Sequence, residues 1–365
     1  MRIHALVAHG VRNLAPLALA PRERFNVFSG DNGQGKTNLL EAIFVIATLR
    51  SFRTARLADL VAFGAERARL GARVLKDELV RVYEVELGPG TRKVTLDGKA
   101  VRPLARYFGG FNVVVFTPED LAVPRASPAD RRRFLDRGVF NLRPDYLATA
   151  QDYERVLKTR NTVLRQAGEG AIDRRRAEDL LSVYDQQLAA LGARVIAARL
   201  AFLDALRGEL AAAFSSITRA GLAATARYVV RSDAVTAEDI AARLAASRAK
   251  DFATSATQVG PHRDDVILEL SGREAGTFAS QGQLRAIMLA WKTAELCVLG
   301  RAHGDPPILL LDDVSSELDP RRNEFLFEHL ATLAGQCFIT TTHPGHVLLR
   351  QDRADYRIAK GEILQ

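Results

Sequence analysis

The pattern of apolar and polar positions changes twice along the chain and predicts three successive parts. Residues 67–99 alternate polar and apolar positions, with turn sequences at 88–90 and 97–98, which predicts an antiparallel meander. From about residue 125 to 248, apolar residues recur every three or four positions, which indicates helices. Buried strands are predicted where short segments are continuously apolar, namely at 25–29, 111–116, 308–311 and 337–342.

Strand-forming sequence at both ends, with helical sequence between them, predicts an α/β fold with a helical insert. We place the first part of the α/β lobe at residues 1–122, the insert at 123–254 and the second part at 255–365, because strand signals return near 266–270. Further elements predicted in the α/β parts are a strand at 2–8, helices at 37–48, 281–300 and 325–334, and edge strands near 356–358 and 363.

The helical insert contains two candidate partners for a hairpin. Apolar residues from Leu181 to Leu206 follow heptad-like spacing, and Tyr153, Leu157 and Leu164 indicate a second helix. The polar segment 166–176 would join the two helices as a short antiparallel arm. The same residues would also suit an ordinary helical bundle, and the pattern favours neither arrangement.

Composition narrows the class of protein only slightly. The chain has 365 residues, a formal net charge of +8 and a calculated pI of about 9.7. A basic surface suits nucleic acid or an anionic membrane, although many basic proteins bind neither. No apolar run approaches the length of a membrane span, and His4, His9 and Arg12 interrupt the apolar N-terminus. We therefore expect a cytoplasmic protein that has no membrane partner.

The clearest chemical signal is Gly30-Asp31-Asn32-Gly33-Gln34-Gly35-Lys36-Thr37, which matches the phosphate-binding loop G-x-x-x-x-G-K-[ST]. A predicted strand precedes this loop and an apolar helix follows from Asn38, which is the setting that the motif requires. Glycines let successive backbone amides approach phosphate oxygens, and the helix N-terminus adds a positive dipole. Lys36 is expected to contact the β- and γ-phosphates of a nucleotide, and Thr37 to bind Mg²⁺.

Three further segments with candidate chemistry follow the loop along the chain, in the order 280–283, Asp312 with Asp313, and His343. Asp312 and Asp313 end an apolar strand; the first would hold Mg²⁺ and the second would orient the attacking water. Ser280-Gln281-Gly282-Gln283 opens a predicted helix, whose N-terminus suits a γ-phosphate. His343 follows the next strand and would sense that phosphate through a hydrogen bond, although a lone histidine is more often structural.

Seven segments, taken in this order, resemble the motifs of one protein family. They are 30–38, Ser51-Phe52-Arg53-Thr54, Phe116-Thr117-Pro118-Glu119-Asp120-Leu121, Arg131-Arg132-Arg133-Phe134-Leu135-Asp136, Gly260-Pro261-His262-Arg263-Asp264-Asp265, 280–285 and 309–319. The order is similar to that of ATP-binding-cassette (ABC) ATPases, in the branch that includes the heads of structural-maintenance-of-chromosomes (SMC) proteins. Within that branch the segments resemble the RecF family of bacterial recombination mediators, and they span nearly the whole chain.

The resemblance implies an ABC-ATPase head, in which a phosphate-loop lobe carries an inserted helical lobe with a short antiparallel arm. It implies that two heads close face to face around two ATP molecules, so that residues 30–38 and Asp312 of one chain meet 280–283 of the other. Lys36, Asp313 and His343 would then serve hydrolysis, and Thr37 with Asp312 would hold Mg²⁺. Such an ATP-dependent homodimer would bind DNA only while ATP is present.

The resemblance also implies partners and a biological setting. Proteins of this family act with RecO and RecR at gaps and at junctions of single-stranded and duplex DNA, where they promote RecA loading, recombinational repair during replication, and the SOS response to DNA damage. Asp313 stands where most cassette ATPases have glutamate, so we expect a weak, DNA-stimulated ATPase that acts as a switch. Glu119 stands near the position of their Mg²⁺-binding glutamine, and residues 8–14 match the family only loosely.

Two other classes of protein share part of this set of motifs. The ATPase subunit of a membrane transporter has the same motif order, but a much shorter stretch than the 244 residues that separate Lys36 from Ser280 here. A phosphate-loop kinase for a small metabolite would need neither the segment 280–283 nor a dimer.

Two clusters of charged residues also allow two interpretations. His262, Asp264 and Asp265 are of the types that bind metals, but we favour a structural turn or a polar contact between the lobes. The arginines 131–133 suit DNA phosphate and the solvated face of a helix equally well.

Overall fold

The computed structural model describes residues 1–218, 221–333 and 335–364. The strands are β1 (Arg2–His9), β2 (Leu17–Leu19), β3 (Phe25–Ser29), β4 (Ala68–Lys76), β5 (Leu79–Gly88), β6 (Thr91–Leu96), β7 (Lys99–Ala100), β8 (Val113–Phe116), β9 (Ala224–Val229), β10 (Asp265–Leu270), β11 (Arg273–Glu274), β12 (Ile308–Asp312), β13 (Cys337–Thr341), β14 (Arg353–Ala359) and β15 (Glu362–Leu364).

The α-helices are α1 (Lys36–Thr48), α2 (Pro128–Leu142), α3 (Tyr146–Gly168), α4 (Arg174–Thr218), α5 (Ala237–Thr254), α6 (Ala275–Phe278), α7 (Gln281–His303) and α8 (Pro320–Leu333). Short 3-10 helices occupy Leu57–Leu60, Leu104–Tyr107, Pro118–Arg125, Val314–Glu317 and Pro344–His346. Within the described residues, no helix combines the length and the apolar character needed to cross a membrane.

The chain divides into two compact units. Unit 1 consists of Met1–Leu121, Ser216–Arg219 and Arg285–Gln365, and unit 2 of Ala122–Ser215 and Ala220–Leu284. The boundary near residue 255 that the sequence suggests rests on the strand signal at 266–270. That strand, β10, lies in unit 2, and α7 begins in unit 2 and continues in unit 1.

Unit 1 is built on a six-stranded sheet in the order β15-β14-β3-β13-β12-β8. Its strands pair in parallel from β14 to β8, and β15 closes one edge in the antiparallel direction. Every residue of β8, β12 and β13 is buried, which explains their continuous apolar sequences. The carboxyl ends of β3, β13 and β12 therefore meet along one edge of the sheet, where ligands of α/β proteins commonly bind.

Helix α1 lies in the core of unit 1. It contacts β8, β12 and β13 of the parallel sheet, and β4 and β5 of an antiparallel sheet in the order β2-β1-β4-β5-β6-β7. Residues 39–48 of the helix are all buried. A helix that is apolar on every side is a buried helix, so this packing follows from its sequence. The core holds the start of α1, and with it the phosphate loop, against the edge where the strands end.

Unit 2 contains an antiparallel helical hairpin. Val163 and Leu164 near the end of α3 pack on Ala177 and Leu181 near the start of α4, around the loop 169–173. Arg160 of α3 is fully buried and donates hydrogen bonds of 2.7 Å to Asp185 of α4 and Asp251 of α5. The two sequence-based alternatives are thus both partly right, because the hairpin exists and α5 packs beside it as a third helix.

Some predicted elements differ from the structure for identifiable reasons. Helices do not fill the whole segment 125–248, because Ala224–Val229 forms β9 and pairs with β10 in a three-stranded sheet. Only the first residue of β9 is fully buried, so its sequence carries a weak alternation. β14 is not an edge strand, because it pairs with β3 on one side and β15 on the other. The end predicted for the helix 325–334, Ala334, lies outside the described residues.

Candidate nucleotide-binding site

The phosphate loop joins β3 to α1, and its backbone requires its glycines. Gly33 and Gly35 have φ angles of +79° and +108°, which residues with a Cβ rarely adopt. A Cβ at Gly30 would lie 2.2 Å from the carbonyl oxygen of Ile358 on β14. No side chain caps the N-terminus of α1, where Gly35 is the N-cap. The first amides of the helix are therefore free of side-chain caps and can be used by an anion.

Lys36 is folded over this loop. Its side chain is buried, and Nζ donates hydrogen bonds to the carbonyl oxygens of Gly30 (2.6 Å) and Asp31 (2.9 Å). Burial lowers the pKa of Lys36 below its usual value, although Asp313 and Asp312 oppose this shift. The ammonium group thus lies at the loop itself, in a place where phosphate oxygens would compensate it.

Thr37 and Asp312 are in contact. Thr37 Oγ1 donates to Asp312 Oδ1 at 2.9 Å, and Thr340 Oγ1 donates to the same oxygen at 2.7 Å. Thr340 belongs to β13, which lies between β3 and β12, so its hydroxyl comes from the strand between the two motifs. Burial raises the pKa of Asp312, although the two hydroxyl donors lower it; the nearby charges of Glu119 and Asp313 raise it further.

These residues suit a divalent cation that is bound together with a nucleotide. The described residues contain no group of three or more His, Cys, Asp or Glu side chains that would hold a metal alone. Mg²⁺ is usually bound by one or two carboxylates with phosphate and water oxygens, rather than by a cage made only of protein ligands. A carboxylate and a hydroxyl beside an open phosphate loop match that ligand set.

Asp313 and His343 lie at the same edge of the sheet. Asp313 has a φ of +50°, and its amide donates to the carbonyl and hydroxyl oxygens of Thr340, both at 3.1 Å. Asp313 Oδ1 is buried and has no hydrogen-bond partner among the described residues. His343 is exposed, and its ring lies 5.2 Å from that of His346. A buried carboxylate oxygen without a donor suits a bound water, and the roles of Asp313 and His343 stay predictions.

Replacing Asp312 with asparagine is expected to stabilise the protein in the absence of nucleotide. Because the fold raises the pKa of Asp312, its ionised form costs stability at neutral pH. Asparagine keeps an acceptor for Thr37 and Thr340 but carries no charge. We expect the free energy of unfolding to rise by about 0.5–2 kcal/mol at neutral pH, as measured by urea denaturation, while Mg²⁺-dependent nucleotide binding is lost.

The stabilisation by Asp312→Asn should shrink as the pH falls. The wild-type carboxyl takes up its proton first in the folded state, so the two proteins converge as the pH approaches the unfolded pKa of about 3.9. Glu66→Gln, at an exposed position of unit 1, removes a carboxylate in the same way and is the control; it should not reproduce the stabilisation. If Asp312→Asn were less stable than wild type across the whole range, the raised pKa of Asp312 would be contradicted.

A chain of hydrogen bonds beside the phosphate loop includes Asn13, to which the sequence assigned no role of its own. Asn13 Nδ2 donates to the carbonyl oxygen of Gly33 at 2.7 Å, and Asn38 Nδ2 donates to Asn13 Oδ1 at 2.6 Å. Arg53 in turn donates to Asn38 Oδ1 at 2.7 Å. The loose family match of residues 8–14 was the only signal for Asn13. These hydrogen bonds show that Asn13, in the segment 8–14, supports the phosphate loop.

Arg12, the neighbour of Asn13, is fixed from inside the core. It forms a two-pronged ion pair with Glu41 of α1, with Nε–Oε2 and Nη2–Oε1 distances of 3.1 Å and 3.0 Å. Glu41 is fully buried, and Arg53 approaches its second oxygen at 3.5 Å. A buried carboxylate needs such partners, so this cluster fixes the position of Arg12 relative to α1.

The segment 280–283 forms the N-terminus of α7, in unit 2. Ser280 Oγ accepts a hydrogen bond from Gln283 N (3.3 Å), and Gln283 Oε1 accepts one from Ser280 N (2.8 Å). This reciprocal pair is a capping box, which fixes where the helix starts. Arg125 donates to the carbonyl oxygens of Gly276 and Ala279 just before it. Ser280 and Gln281 are exposed at this fixed helix start, which leaves them accessible to a ligand.

The segment 260–265 is held within unit 2 by hydrogen bonds of its side chains, which supports the structural interpretation. His262 Nδ1 shares a hydrogen bond of 2.6 Å with Tyr153 Oη, and burial lowers the pKa of His262 to about 4. Asp264 accepts hydrogen bonds from Tyr228 Oη (2.9 Å) and Arg231 N (3.0 Å). Hydrogen bonds from other protein groups therefore already engage His262 and Asp264.

The arginines at 131–133 do not share one role. Arg131 pairs with both carboxylate oxygens of Asp265, and Arg132 donates to the backbone carbonyl of Asp264 at 2.6 Å. Arg133 is 77% exposed in its side chain and pairs with Asp130, one turn away. Arg131 and Arg132 thus form contacts with other residues of unit 2. Of the three arginines, only Arg133 lies on a solvated helix face.

Comparison with known proteins gives a consistent result. The model of the family "RecF/RecN/SMC N terminal domain" matches residues 2–360. The chain is 43% identical to "DNA replication and repair protein RecF" of Myxococcus xanthus (strain DK1622), over 94% of this chain and 91% of that protein. It is 40% identical to the protein of the same name from Geobacter sp. (strain M21), over the full length of both.

Solved structures agree with the sequence matches. The chain is similar to the recombination mediator protein RecF-ATP in the RecFOR pathway, with a TM-score of 0.88 and 29% identity, over 99% of this chain and 96% of the other. It is also similar in fold to an SMC head bound to the C-winged helix domain of ScpA, with a TM-score of 0.54 and 13% identity, over 100% and 98% of the two chains. The predicted fold class, an ABC-type ATPase head with a helical arm, is confirmed.

Proposed function

The chain belongs to the RecF family of DNA replication and repair proteins, within the RecF/RecN/SMC N-terminal domain family, and we propose that ATP controls its binding to DNA. ATP would close two copies face to face, and the closed dimer would bind DNA at gaps and at junctions of single-stranded and duplex DNA. Hydrolysis, which we propose to be slow and stimulated by DNA, would release the dimer. Membership of this family argues against the two alternatives, the ATPase subunit of a membrane transporter and a phosphate-loop kinase for a small metabolite.

The contact between Thr37 and Asp312 is the observation that best supports an ATP-dependent function. It joins the phosphate loop to the carboxylate that ends β12, at 2.9 Å, with Thr340 holding the same oxygen. Thr37 and Asp312 would hold Mg²⁺, which would offset the phosphate charge of a bound nucleotide. The structures of RecF-ATP and RecF-ATPrS concern similar proteins, and they support the choice of ATP.

The residues of unit 1 would divide the work at the nucleotide. ATP supplies the phosphoryl group that is transferred to water, and Mg²⁺ offsets its charge. The amides of the loop and the ammonium of Lys36 would bind the phosphates, while Thr37 and Asp312 would orient the cation. Asp313 would hold the attacking water through its unpartnered Oδ1. Because aspartate is one methylene shorter than glutamate, we expect it to hold that water less well.

Ser280 and Gly282 would complete the site of a second copy. Their segment is a capped helix N-terminus in which Ser280 and Gln281 are exposed. The amides of Gln281 and Gly282, which the capping box does not use, would bind a terminal phosphate together with the helix dipole. Dimerisation would then require ATP in both heads. We further propose that the closed dimer works with RecO and RecR, promotes RecA loading and the SOS response, and acts in the cytoplasm.

DNA binding with and without nucleotide tests this function. Gapped, fully duplex and single-stranded DNA would each be titrated with the full chain in the presence of ATP, ADP or no nucleotide, with Mg²⁺ throughout. Sedimentation of the same samples would report the oligomeric state. We expect gapped DNA to be retained, and dimers to form, with ATP only. Equal DNA binding under all three nucleotide conditions would contradict the switch.

A further inference from the structure

The turn between the last two strands contacts the phosphate loop through its backbone. Lys360 and Gly361 form the turn that joins β14 to β15. The amide of Gly361 donates to the carbonyl oxygen of Gln34 (3.0 Å), and the amide of Lys360 donates to the side-chain oxygen of Gln34 (2.5 Å). Both polar oxygens of Gln34 are thus held by a segment that lies 326 residues further along the chain.

The same turn fits closely against the segment 13–15. Gly361 has a φ of +81°, and a Cβ there would lie 2.0 Å from the carbonyl oxygen of Asn13 and 2.9 Å from the amide of Ala15. The amide of Ala15 donates to the carbonyl oxygen of Gly361 at 3.1 Å. Asn13 itself supports the loop through its hydrogen bond to Gly33. The turn therefore touches the phosphate loop directly at Gln34 and indirectly through Asn13.

β14 makes a third close contact with the loop. A Cβ at Gly30 would lie only 2.2 Å from the carbonyl oxygen of Ile358. The loop is consequently contacted at its first residue by β14 and at Gln34 by the turn that follows. Such contacts matter because three glycines make the loop intrinsically flexible, and a flexible loop loses more conformational entropy when it binds a ligand.

We propose that the turn Lys360–Gly361 is a positioning element of the nucleotide site, which holds Gln34 and thereby sets the phosphate-loop amides in the conformation that binds phosphate. This inference rests on the proposed function in one respect, namely that the loop binds ATP. The turn acts through its backbone. The side chain of Lys360 is exposed, so the ammonium group is not part of the contact that we describe.

Four variants of the full chain separate this role from a general effect on folding. Gln34→Ala removes the acceptor for the amide of Lys360, and Gly361→Ala places a Cβ against Asn13. Lys360→Asn keeps both amides and suits the φ of +49° at this position, because asparagine tolerates the left-handed region. Gly90→Ala is the matched control, since Gly90 is a hairpin glycine of unit 1 with a φ of +65° and no atom within 4 Å of its Cβ position.

The measurement is the Kd for ATP, with Mg²⁺, by isothermal titration calorimetry, alongside the thermal unfolding midpoint of each variant. Loss of one hydrogen bond should raise the Kd of Gln34→Ala by about threefold to tenfold. Gly361→Ala should weaken binding at least as much, whereas Lys360→Asn and Gly90→Ala should bind like wild type. Because both changes act on one contact, their effects on the free energy of ATP binding should be less than additive in the double variant Gln34→Ala/Gly361→Ala.

The outcomes distinguish the two proposals. If wild type does not bind ATP, the proposed function fails. If wild type binds ATP and Gln34→Ala binds equally well, the positioning role is overturned and the proposed function stands. Weakening by Lys360→Asn as large as that by Gln34→Ala would also overturn it, because the ammonium group would then carry the effect. Full additivity of the two binding free energies in the double variant would overturn the positioning role as well. The same holds if Gly90→Ala loses as much ATP affinity as Gln34→Ala.

Discussion

Lys36→Met is expected to weaken ATP binding by at least about thirtyfold, since truncating one partner of a buried, hydrogen-bonded charge pair typically costs 2–5 kcal/mol or more. The ammonium is buried, and burial lowers the pKa of Lys36, because the charged form is less well solvated there than in water. Phosphate oxygens would compensate that charge. Methionine preserves the length and the apolar stem of the side chain but supplies no charge and no donor. Calorimetric titration with ATP and Mg²⁺ measures the effect.

Loss of ATP binding by Lys36→Met should remove ATP-dependent DNA retention as well. Lys99→Met is the matched control, because Lys99 is exposed on β7 and its replacement changes the net charge by the same amount. It should leave ATP affinity intact. The thermal midpoint must also be compared, because Lys36 donates to the carbonyl oxygens of Gly30 and Asp31 within the loop. ATP affinity within threefold of wild type, in a folded Lys36→Met protein, would refute the role of Lys36.

The elements nearest the phosphate loop follow directly from the sequence. β3 and α1 begin within one residue of their predicted positions, because a buried apolar strand, glycines and an apolar helix are local signals. β9 was missed because only its first residue is fully buried, so its sequence shows no clear period. The unit to which β10 belongs depends on its pairing with β9, which is a long-range contact that local patterns do not contain.

The candidate site shows the same division between local and long-range information. The motif identifies Lys36, Thr37 and Asp312, and their spatial order follows from parallel strands that end at one edge of the sheet. Thr340 was not foreseen as a partner of Asp312, because its position depends on β13 lying between β3 and β12. The contact of Gln34 with the turn at 360–361 is likewise invisible in sequence, since it joins opposite ends of the chain.

Ser280→Asp is expected to abolish ATP-driven dimerisation while leaving ATP binding by each single head intact. Aspartate is as good an N-cap as serine, so α7 should still start at the same place. Its carboxylate would face the γ-phosphate held by the other copy, and a like-charge contact across an interface costs several kcal/mol, or more than about a hundredfold in the dimer Kd. Sedimentation with ATP and Mg²⁺ measures the dimer, and calorimetry measures ATP binding.

Two companion variants separate the charge from the helix cap. Ser280→Asn is also a good cap but is neutral, so it should lose far less dimer than Ser280→Asp. Ser280→Arg removes the capping box that Gln283 completes and adds bulk, so it should block dimerisation and also fray the first turn of α7.

Because Ser280 belongs to unit 2 and Lys36 to unit 1, the two sets of variants address different halves of the proposed site. Lys36→Met should lose ATP and dimer together, whereas Ser280→Asp should lose only the dimer. If Ser280→Asp dimerised with ATP as wild type does, the site shared between two copies would be ruled out, and the phosphate loop would have to act within a single head.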